Sequence, residues 1–205
     1  MNASDLKGIL SKISGIMNEN KEYLTELDQQ NGDGDLGISM SSGFNTVVLK
    51  LNTFEEKDLG RLMMACSSTF NEAAPSSLGT IISIGMMGMA KELKGKEEAN
   101  LNEAAIAMEK GLEKIMDKAK SKVGEKTILD ALCPAISVLL VSSEKNRDIF
   151  MKAYEAAEKG SESTRKMRSV HGRAAYYGDK SIGILDGGSV VGKLIFKGIY
   201  SYYCP

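Results

Sequence analysis

The sequence predicts an all-α protein of seven or eight helices, packed as a bundle or a helical barrel. Three observations lead to this prediction. Apolar residues recur with the 3.6-residue period of an amphipathic helix through most of the 205-residue chain. The breaks between these segments are mostly short, which favours antiparallel neighbours in one domain. No segment shows the alternating pattern of a half-buried strand, although residues 195–204 are β-prone in composition.

The first predicted helix covers residues 6–28, with an apolar stripe that begins at Leu6 and with Ser4 available as its N-cap. The same period predicts six further helices, at residues 58–72, 77–93, 101–119, 127–143, 145–159 and 187–202. Two stretches do not fit the helical pattern, residues 28–37 and residues 161–188. Long irregular segments on a helical scaffold often carry function, so both are candidates for a binding site.

Composition excludes several classes of protein. With 26 Lys and Arg against 27 Asp and Glu, the net charge is -1, so the chain lacks the basic excess that nucleic-acid binding needs. Cys66, Cys133 and Cys204 are widely spaced and His171 is the single histidine, which argues against disulfide scaffolds and structural zinc sites. The most apolar run, residues 81–90, is too short to span a bilayer, and no signal segment is recognisable. We therefore expect a cytoplasmic protein with no nucleic-acid and no membrane partner.

The densest polar motif is LDQQNGDGDLGISM at residues 27–40, in which Asp28, Asp33 and Asp35 lie among three glycines. Three close carboxylates repel one another, and Asp28 falls at a predicted helix C-terminus, where the helix dipole disfavours an anion. A bound hard cation would relieve both problems. Oxygen ligands with an open coordination shell suit Mg²⁺ that bridges nucleotide phosphates. A surface turn without any ligand accounts equally well for the pattern taken alone.

Two familiar motifs overlap this segment and do not fit it. Gly32, Gly34 and Gly37 spell GxGxxG, but they follow a helix rather than a strand, and the aspartates among them would repel a pyrophosphate. In an EF-hand register that starts at residue 31, Leu36 takes the place of the required glycine and Ser42 that of the bidentate glutamate. A dinucleotide loop and a calcium sensor are therefore both excluded.

Three further segments are candidates for anion binding. Ser76 and Ser77 precede an apolar helix, where free N–H groups accept anions, although simple N-capping is the commoner role of such a serine. Thr127 is placed to cap the helix that follows GEK. Residues 164–180 carry a local charge of +4, because Asp179 is the one acid among five bases: Arg165, Lys166, Arg168, Arg173 and Lys180. Such a run is usually a solvated face, but its place in the irregular segment indicates that one arginine faces phosphate. For His171 we expect a structural or surface role.

Four separated segments together resemble the nucleotide-binding L subunit, or L domain, of dihydroxyacetone kinases. Residues 28–40 resemble its D-x4-GDGD-x-G-x-x-M magnesium loop, and residues 124–135 its GDKTMxDALxPA segment. Residues 172–188 resemble its GRASYLGERSIG…DPGA segment, and residues 74–80 match its GG-x-SG loop more loosely. The order and spacing match across essentially the whole chain. Leu36 stands where the family often has histidine, and Asp-Gly-Gly replaces Asp-Pro-Gly.

The resemblance implies a closed barrel of about eight antiparallel helices, with residues 1–205 forming a single L-type domain. It places an adenine nucleotide, ADP or ATP, and two Mg²⁺ ions at one end of the barrel. Asp28, Asp33 and Asp35 would bind the ions. The residues implied to contact the nucleotide are Leu36, Gly37, Ile38 and Ser39, whose backbone would line the phosphates, Ser76 and Ser77 at a helix N-terminus, Thr127 and Ile128 beside the nucleoside, and Arg173, Asp186, Gly187 and Gly188 closing the pocket. Arg173 is the implied catalytic residue.

The implied activity is transfer of a phosphoryl group to dihydroxyacetone, or a related hydroxyketone, held on a separate K subunit. The nucleotide is either exchanged as free ATP or recharged in place by a phosphotransferase-system phosphoprotein, an M subunit. Both a monomer and a homodimer fit the sequence, because barrel helices use similar apolar stripes for the core and for an interface. Two alternatives are the nucleotide domain of a fatty-acid kinase, whose loop more often reads GDTG, and a non-enzymatic regulatory or interaction module of the same fold. Asp35 argues against the former, and failure to bind nucleotide would favour the latter.

Overall fold

The computed structural model describes residues 1–141 and 147–205, and its regular structure there is helical. In chain order the α-helices are α1 (Ala3–Glu19), α2 (Lys21–Gln29), α3 (Leu36–Thr53), α4 (Leu59–Ala73), α5 (Ser77–Glu92), α6 (Leu101–Ala119), α7 (Leu129–Val141), α8 (Asp148–Ser163) and α9 (Gly187–Tyr203). Two 3₁₀ segments, Thr164–Lys166 and Arg173–Ser181, lie between α8 and α9. Across the described part of the chain, no helix combines the length and apolar character needed to cross a bilayer.

Eight of these helices form a closed ring. Helix α1 packs against α3, each helix from α3 to α9 packs against the next one in the chain, and α9 packs back against α1. Helix α2 follows α1 after a break at Asn20 and packs mainly against α3. Short connections between neighbours make the ring antiparallel. The predicted all-α closed barrel of about eight antiparallel helices is confirmed.

The antiparallel ring determines where the connections lie. In such a ring every second connection comes to the same end of the barrel. One end therefore carries the connections that precede α3, α5, α7 and α9, which are residues 30–35, 74–76, 120–128 and 164–186. Both stretches that the sequence marks as irregular belong to this end. The N-termini of α3, α5, α7 and α9 lie there as well.

The ring is filled with apolar side chains from its helices. Phe44 and Phe70 meet edge to face with ring centroids 4.8 Å apart, and both are almost fully buried. An apolar cavity of about 310 Å³ lies inside the barrel and is lined by residues such as Leu10, Met86 and Leu112. The core is thus one continuous apolar volume, enclosed by the ring.

The sequence prediction was wrong for the first two helices. The single helix predicted over residues 6–28 is two helices, because the chain departs from helical geometry at Asn20, whose side-chain amide donates to the Ile16 carbonyl. The N-cap is Asn2, in a capping box with Asp5, rather than Ser4.

Helix α3 was not predicted at all, because its many Gly and Ser residues have low intrinsic helix propensity. Packing overrides this: a Cβ atom on Gly43 would lie 2.6 Å from the Phe70 ring, so glycine permits the close approach of α4. The predicted helices at residues 127–143 and 145–159 extend into residues 142–146, which lie outside the described residues.

The contact that closes the ring supplies a stability test. A Cβ atom on Gly198 of α9 would lie 2.5 Å from Ile13 Cγ1 and 2.8 Å from Ile13 Cα on α1. We predict that Gly198→Ala lowers the free energy of unfolding by about 1–3 kcal/mol through overpacking. The matched control is Gly15→Ala on α1, where an added Cβ meets nothing within 4 Å and should stabilise the helix by about 0.5–1 kcal/mol. Urea denaturation measures the change in the free energy of unfolding for both variants. A change in the same direction for both would contradict a tight α1–α9 contact.

Candidate functional site

The end of the barrel that carries the four connections has a cleft of about 840 Å³. Most of the residues predicted for a binding site line it: Asp28, Asp33, Asp35, Leu36, Ser76, Ser77, Thr127, Ile128, Arg173, Asp186, Gly187 and Gly188. These residues come from four segments that are far apart in the sequence. The closed ring therefore brings the sequence motifs together into a single site.

The acid-rich turn between α2 and α3 folds around Asp28. The Asp28 carboxylate accepts a hydrogen bond of 2.8 Å from the Gly34 N–H, and the Asp28 carbonyl accepts one of 2.6 Å from the Gly32 N–H. Gly34 has a φ of +78°, a conformation that favours glycine. As a result, one carboxylate oxygen from each of Asp28, Asp33 and Asp35 lies within 4.8 Å of the others.

The electrostatics of this turn indicate a cation. Burial raises the pKa of the Asp35 carboxyl, the neighbouring carboxylates of Asp33 and Asp28 raise it further, and Arg173 acts in the opposite direction. The Arg173 guanidinium forms an ion pair with the Asp33 carboxylate. Three converging oxygen ligands of negative charge, without nitrogen or sulfur donors, are the chemistry that a hard divalent cation such as Mg²⁺ prefers. The residues present therefore fit such an ion.

The N-termini of four helices lie at the same end of the barrel as the acid cluster. Ser76 caps α5 by accepting a 3.0 Å hydrogen bond from the Gly79 N–H, and its hydroxyl lies 2.9 Å from that of Ser39. Ser77 is the first residue of α5 and lines the cleft. Helices α3, α7 and α9 also begin at this end of the barrel. Because free N–H groups and the helix dipole favour negative charge, this arrangement suits a polyphosphate.

The loop before α7 is held by Asp130, a residue that the sequence analysis did not single out. Asp130 is 2% exposed, and its two carboxylate oxygens accept hydrogen bonds from the N–H groups of Gly124 at 2.6 Å and Thr127 at 2.7 Å. The Thr127 hydroxyl in turn accepts from the Leu129 N–H at 3.2 Å. The spacing Thr-x-x-Asp is a capping-box pattern, so a local signal for this residue was present. Asp130 fixes the backbone of Thr127 and Ile128 at the cleft wall.

Asp186 and its two glycines line the cleft beside this loop. The Asp186 carboxylate caps α9 by accepting a 2.6 Å hydrogen bond from the Ser189 N–H. Burial raises the pKa of Asp186 from 3.8 to about 7, with the Ser189 bond opposing the shift. A Cβ on Gly187 would lie 2.6 Å from a Leu36 methyl group, and one on Gly188 would lie 3.3 Å from the Ile128 backbone nitrogen. The glycines therefore allow the start of α9 to approach both the start of α3 and the loop before α7.

Of the backbone segment predicted to line the phosphates, residues 36–39, Leu36 is among the residues that line the cleft, and Gly37, Ile38 and Ser39 are not. Gly37 faces α2, where an added Cβ would lie 2.0 Å from the Lys21 carbonyl oxygen, so this glycine serves helix packing. Ile38 is 56% exposed, and Ser39 is buried with its hydroxyl directed to that of Ser76. Helix α3 begins at Leu36, so the N–H groups of its first turn point toward the N-terminal end of the helix, where the cleft lies.

The arginines of the basic segment, residues 164–180, lie in two different places in the structure. Arg165 pairs with Glu162 and Arg168 pairs with Asp179, both on the exposed surface, whereas Arg173 reaches the acid cluster. This agrees with the expectation that one arginine of the run faces the site. His171 also lines the cleft, and its Nε2 atom lies 2.7 Å from Glu125 Oε2. Sequence reasoning gave no reason to place His171 there, because Glu125 is 46 residues away.

Fold and cleft together define a class of protein: a closed helical barrel with a cluster of three carboxylates and four helix N-termini at one end. Comparison with known proteins identifies the family. The model of the DAK2 domain matches residues 30–201, and the chain belongs to this family.

Relatives with known names cover most of the chain. It is 30% identical to the ADP-binding subunit DhaL of the PEP-dependent dihydroxyacetone kinase of Escherichia coli (strain K12), over 88% of this chain and 87% of that protein. It is 31% identical to the ADP-binding subunit DhaL of PEP-dependent dihydroxyacetone kinase 1 of Listeria innocua, over 87% of this chain and 85% of that protein.

A solved structure has the same fold. The dihydroxyacetone kinase from C. freundii, in complex with AMP-PNP and Mg²⁺, superposes with a TM-score of 0.76 at 22% sequence identity. The match covers 95% of this chain and 33% of that chain, so the present chain spans about a third of the longer kinase.

The raised pKa of Asp186 predicts a pH-dependent stability difference. When the pKa of a carboxyl is higher in the folded than in the unfolded protein, the folded protein loses stability as the pH rises from the unfolded-state pKa to the folded-state pKa. For Asp186 this range is from about 4 to about 7. Asp186→Asn keeps an N-cap and removes this loss. We therefore expect the melting temperature of Asp186→Asn, relative to the unaltered protein, to increase by at least about 2 °C between pH 4 and pH 8.

The matched control for this prediction is Asp58→Asn at the N-cap of α4. There a hydrogen bond from the Arg61 N–H lowers the pKa of the carboxyl below its usual value, so its contribution to stability changes mainly below about pH 4, and the melting temperature of the variant relative to the unaltered protein should stay nearly constant between about pH 4 and pH 8. Thermal melts without nucleotide or metal, followed across this pH range, measure both. Parallel curves for the two variants would contradict the assigned environments.

Proposed function

We propose that this chain is the Mg-adenine-nucleotide-binding subunit of a dihydroxyacetone kinase. It holds ADP or ATP. The terminal phosphoryl group of ATP passes to dihydroxyacetone, or a related small hydroxyketone, on a separate K-type subunit, and ADP is left. The observation that carries the proposal is the cluster of Asp28, Asp33 and Asp35, with carboxylate oxygens within 4.8 Å of one another, in one cleft with the N-terminal ends of four helices. The names of the relatives, ADP-binding subunits of dihydroxyacetone kinases, support it.

Each wall of the cleft has a role in this proposal. Asp28, Asp33 and Asp35 would hold two Mg²⁺ ions, which supply charge neutralisation for the phosphates when bound. The first turns of α5 and α9, with Ser76, Ser77, Gly187 and Gly188, offer N–H groups to phosphate oxygens. Apolar side chains, including Leu78, Ile81, Ile115 and Ile128, line the cleft and suit the faces of an adenine ring. Thr127 borders the nucleoside.

Arg173 is the proposed catalytic residue. Its guanidinium already lies at the acid cluster, and 65% of its side chain is exposed, so it is accessible to a substrate that approaches from outside. A guanidinium at this position would stabilise the charge that develops during phosphoryl transfer. The chain itself needs little covalent chemistry, since positioning and charge neutralisation dominate such reactions.

The assembly follows from the same proposal. We propose one domain over residues 1–205, a K-type partner that presents the acceptor, and recharging of the bound nucleotide by an M-type phosphoprotein of the phosphotransferase system. Relatives named PEP-dependent, and one from Lactococcus lactis named PTS-dependent, favour recharging over free exchange of ATP. A homodimer and a cytoplasmic location remain predictions.

The metal assignment is tested by nucleotide binding. Asp33→Asn combined with Asp35→Asn should weaken ADP binding in the presence of Mg²⁺ by at least about 100-fold, which corresponds to ~2.7 kcal/mol. Isothermal titration calorimetry with and without Mg²⁺ measures this. The control is Asp117→Asn on α6, an exposed aspartate that pairs with Lys120 and lies outside the residues of the cleft. Unchanged ADP affinity in the double variant contradicts the metal site, and absence of ADP binding by the unaltered chain favours an interaction module.

The role of Arg173 is tested by steady-state kinetics with a supplied K-type subunit. Arg173→Gln should lower kcat for dihydroxyacetone phosphorylation by about 100-fold with little change in ADP affinity, because the lost contact acts mainly on the developing charge. Arg168→Gln, which breaks a surface pair in the same segment, should keep full activity. The chain alone should phosphorylate no triose. Turnover without the K-type subunit, or equal losses in both arginine variants, would refute these assignments.

A further inference from the structure

Lys126 is a buried lysine with an unusual set of partners. Only 3% of the residue is exposed. Its ammonium group donates to three backbone carbonyls, those of Ser181 at 2.6 Å, Ile184 at 2.6 Å and Met167 at 3.2 Å. A lysine ammonium has three N–H donors, so all of them have acceptors here. The positive charge of the ammonium group is therefore balanced by backbone carbonyl dipoles. This arrangement is unusual, because lysines are rarely fully buried in proteins.

The three carbonyls belong to the two ends of one segment, residues 167–184, which carries Arg173 near its middle. Lys126 thereby joins the start and the end of this segment at a single point beside the N-terminus of α7. The same junction contains a hydrogen bond of 2.9 Å from the Ser169 N–H to the Ser181 hydroxyl. The ends of the segment are thus fixed to the loop before α7, although they are 41 and 58 residues away in sequence.

The backbone of Lys126 indicates that this position is under constraint. Its φ is +61°, and among the described residues only Lys120 shares a positive φ without being glycine. Such a conformation is unfavourable for a lysine and persists where the surroundings fix it. On one side the Glu125 carboxylate meets His171, and on the other the Thr127 N–H is bonded to Asp130. The strained residue therefore joins the segment that carries Arg173 to the loop that borders the cleft.

We propose that Lys126 is a positioning residue for Arg173: it ties residues 167–184 to the start of α7 and so holds the Arg173 guanidinium at the acid cluster. The catalytic consequence rests on the proposed function, whereas the anchoring itself does not. Burial lowers the pKa of Lys126, and the nearby Asp186 carboxylate opposes this shift. The ammonium keeps its three acceptors only in the protonated form.

Burial alone does not hold the segment in place, which makes the role of Lys126 testable. Val170, Tyr176, Tyr177 and Ile182 are all exposed large apolar residues, with Tyr176 at 92%. Polar bonds at the two ends therefore carry much of its attachment. Removing them should release the segment and leave the helices of the barrel intact, because elements with few buried apolar contacts open separately from the core.

Amide hydrogen exchange of the full chain, without nucleotide, tests the anchoring. Lys126→Met keeps most of the length of the unbranched side chain and removes its three donors, and we expect amides of residues 167–184 to exchange at least about 10-fold faster. Amides in the centres of α1, α5 and α9 should keep their rates. The matched control is Lys120→Met, because Lys120 has the same residue type and a left-handed backbone, φ 51°, but an exposed ion pair with Asp117. It should leave the exchange of residues 167–184 unchanged.

A double-variant cycle separates positioning of Arg173 from a general structural role. If Lys126 acts through Arg173, then Arg173→Gln should lower kcat far less in the Lys126→Met background than in the unaltered chain. If Lys126→Met does not fold, Lys126→Gln, which keeps two donors, should show the same localised exchange to a smaller degree.

Unchanged exchange of residues 167–184 in Lys126→Met, or faster exchange in all helices, would overturn the proposal. So would a loss of kcat in the double variant that equals the product of the losses in the two single variants. If the unaltered chain shows no phosphoryl transfer with any K-type subunit, the proposed function fails. The exchange experiment still decides the anchoring in that case.

Discussion

Three carboxylates held within 4.8 Å of one another create the electrostatic problem on which this end of the barrel depends. The turn around Asp28 brings them together, and the raised pKa of Asp35 reflects part of the cost. Several other features of the cleft supply positive charge or positive potential: Arg173, the N-termini of four helices and, in the proposed function, two divalent cations. A polyphosphate bound by metal ions would balance both sets of charges.

The closed antiparallel ring explains why such a site can be assembled from distant segments. Four connections, each preceding a helix, meet at one end because alternate connections must lie together. Each connection contributes a different group: carboxylates before α3, hydroxyls before α5, a loop held by Asp130 before α7, and an arginine with a glycine-rich helix start before α9. Close approaches at Gly187 and Gly188 keep the start of α9 in contact with Leu36 and Ile128, in the segments that lead into α3 and α7.

The residues of the site differ in how far the sequence reveals them. The acid turn, the serine cap at Ser76 and the arginine of the basic run have local signals, namely spacing, helix starts and charge, and the structure places them in one cleft. Helix α3 was missed because its glycines, chosen for contacts with α2 and α4, weaken the helical pattern. Lys126 has no local signal, since its three partners are 41 to 58 residues away. Long-range contacts of this kind follow from the closed ring, which periodicity alone does not specify.

The central claim is that the three carboxylates bind divalent metal together with the phosphates of an adenine nucleotide. Crystals of the chain grown with ADP and Mn²⁺, measured for anomalous scattering at the manganese edge, test it most directly. The account predicts anomalous peaks about 2.0–2.3 Å from carboxylate oxygens of Asp28, Asp33 and Asp35, with phosphate oxygens as further ligands. Nucleotide density in the cleft without such peaks, or peaks away from these three residues, would contradict it.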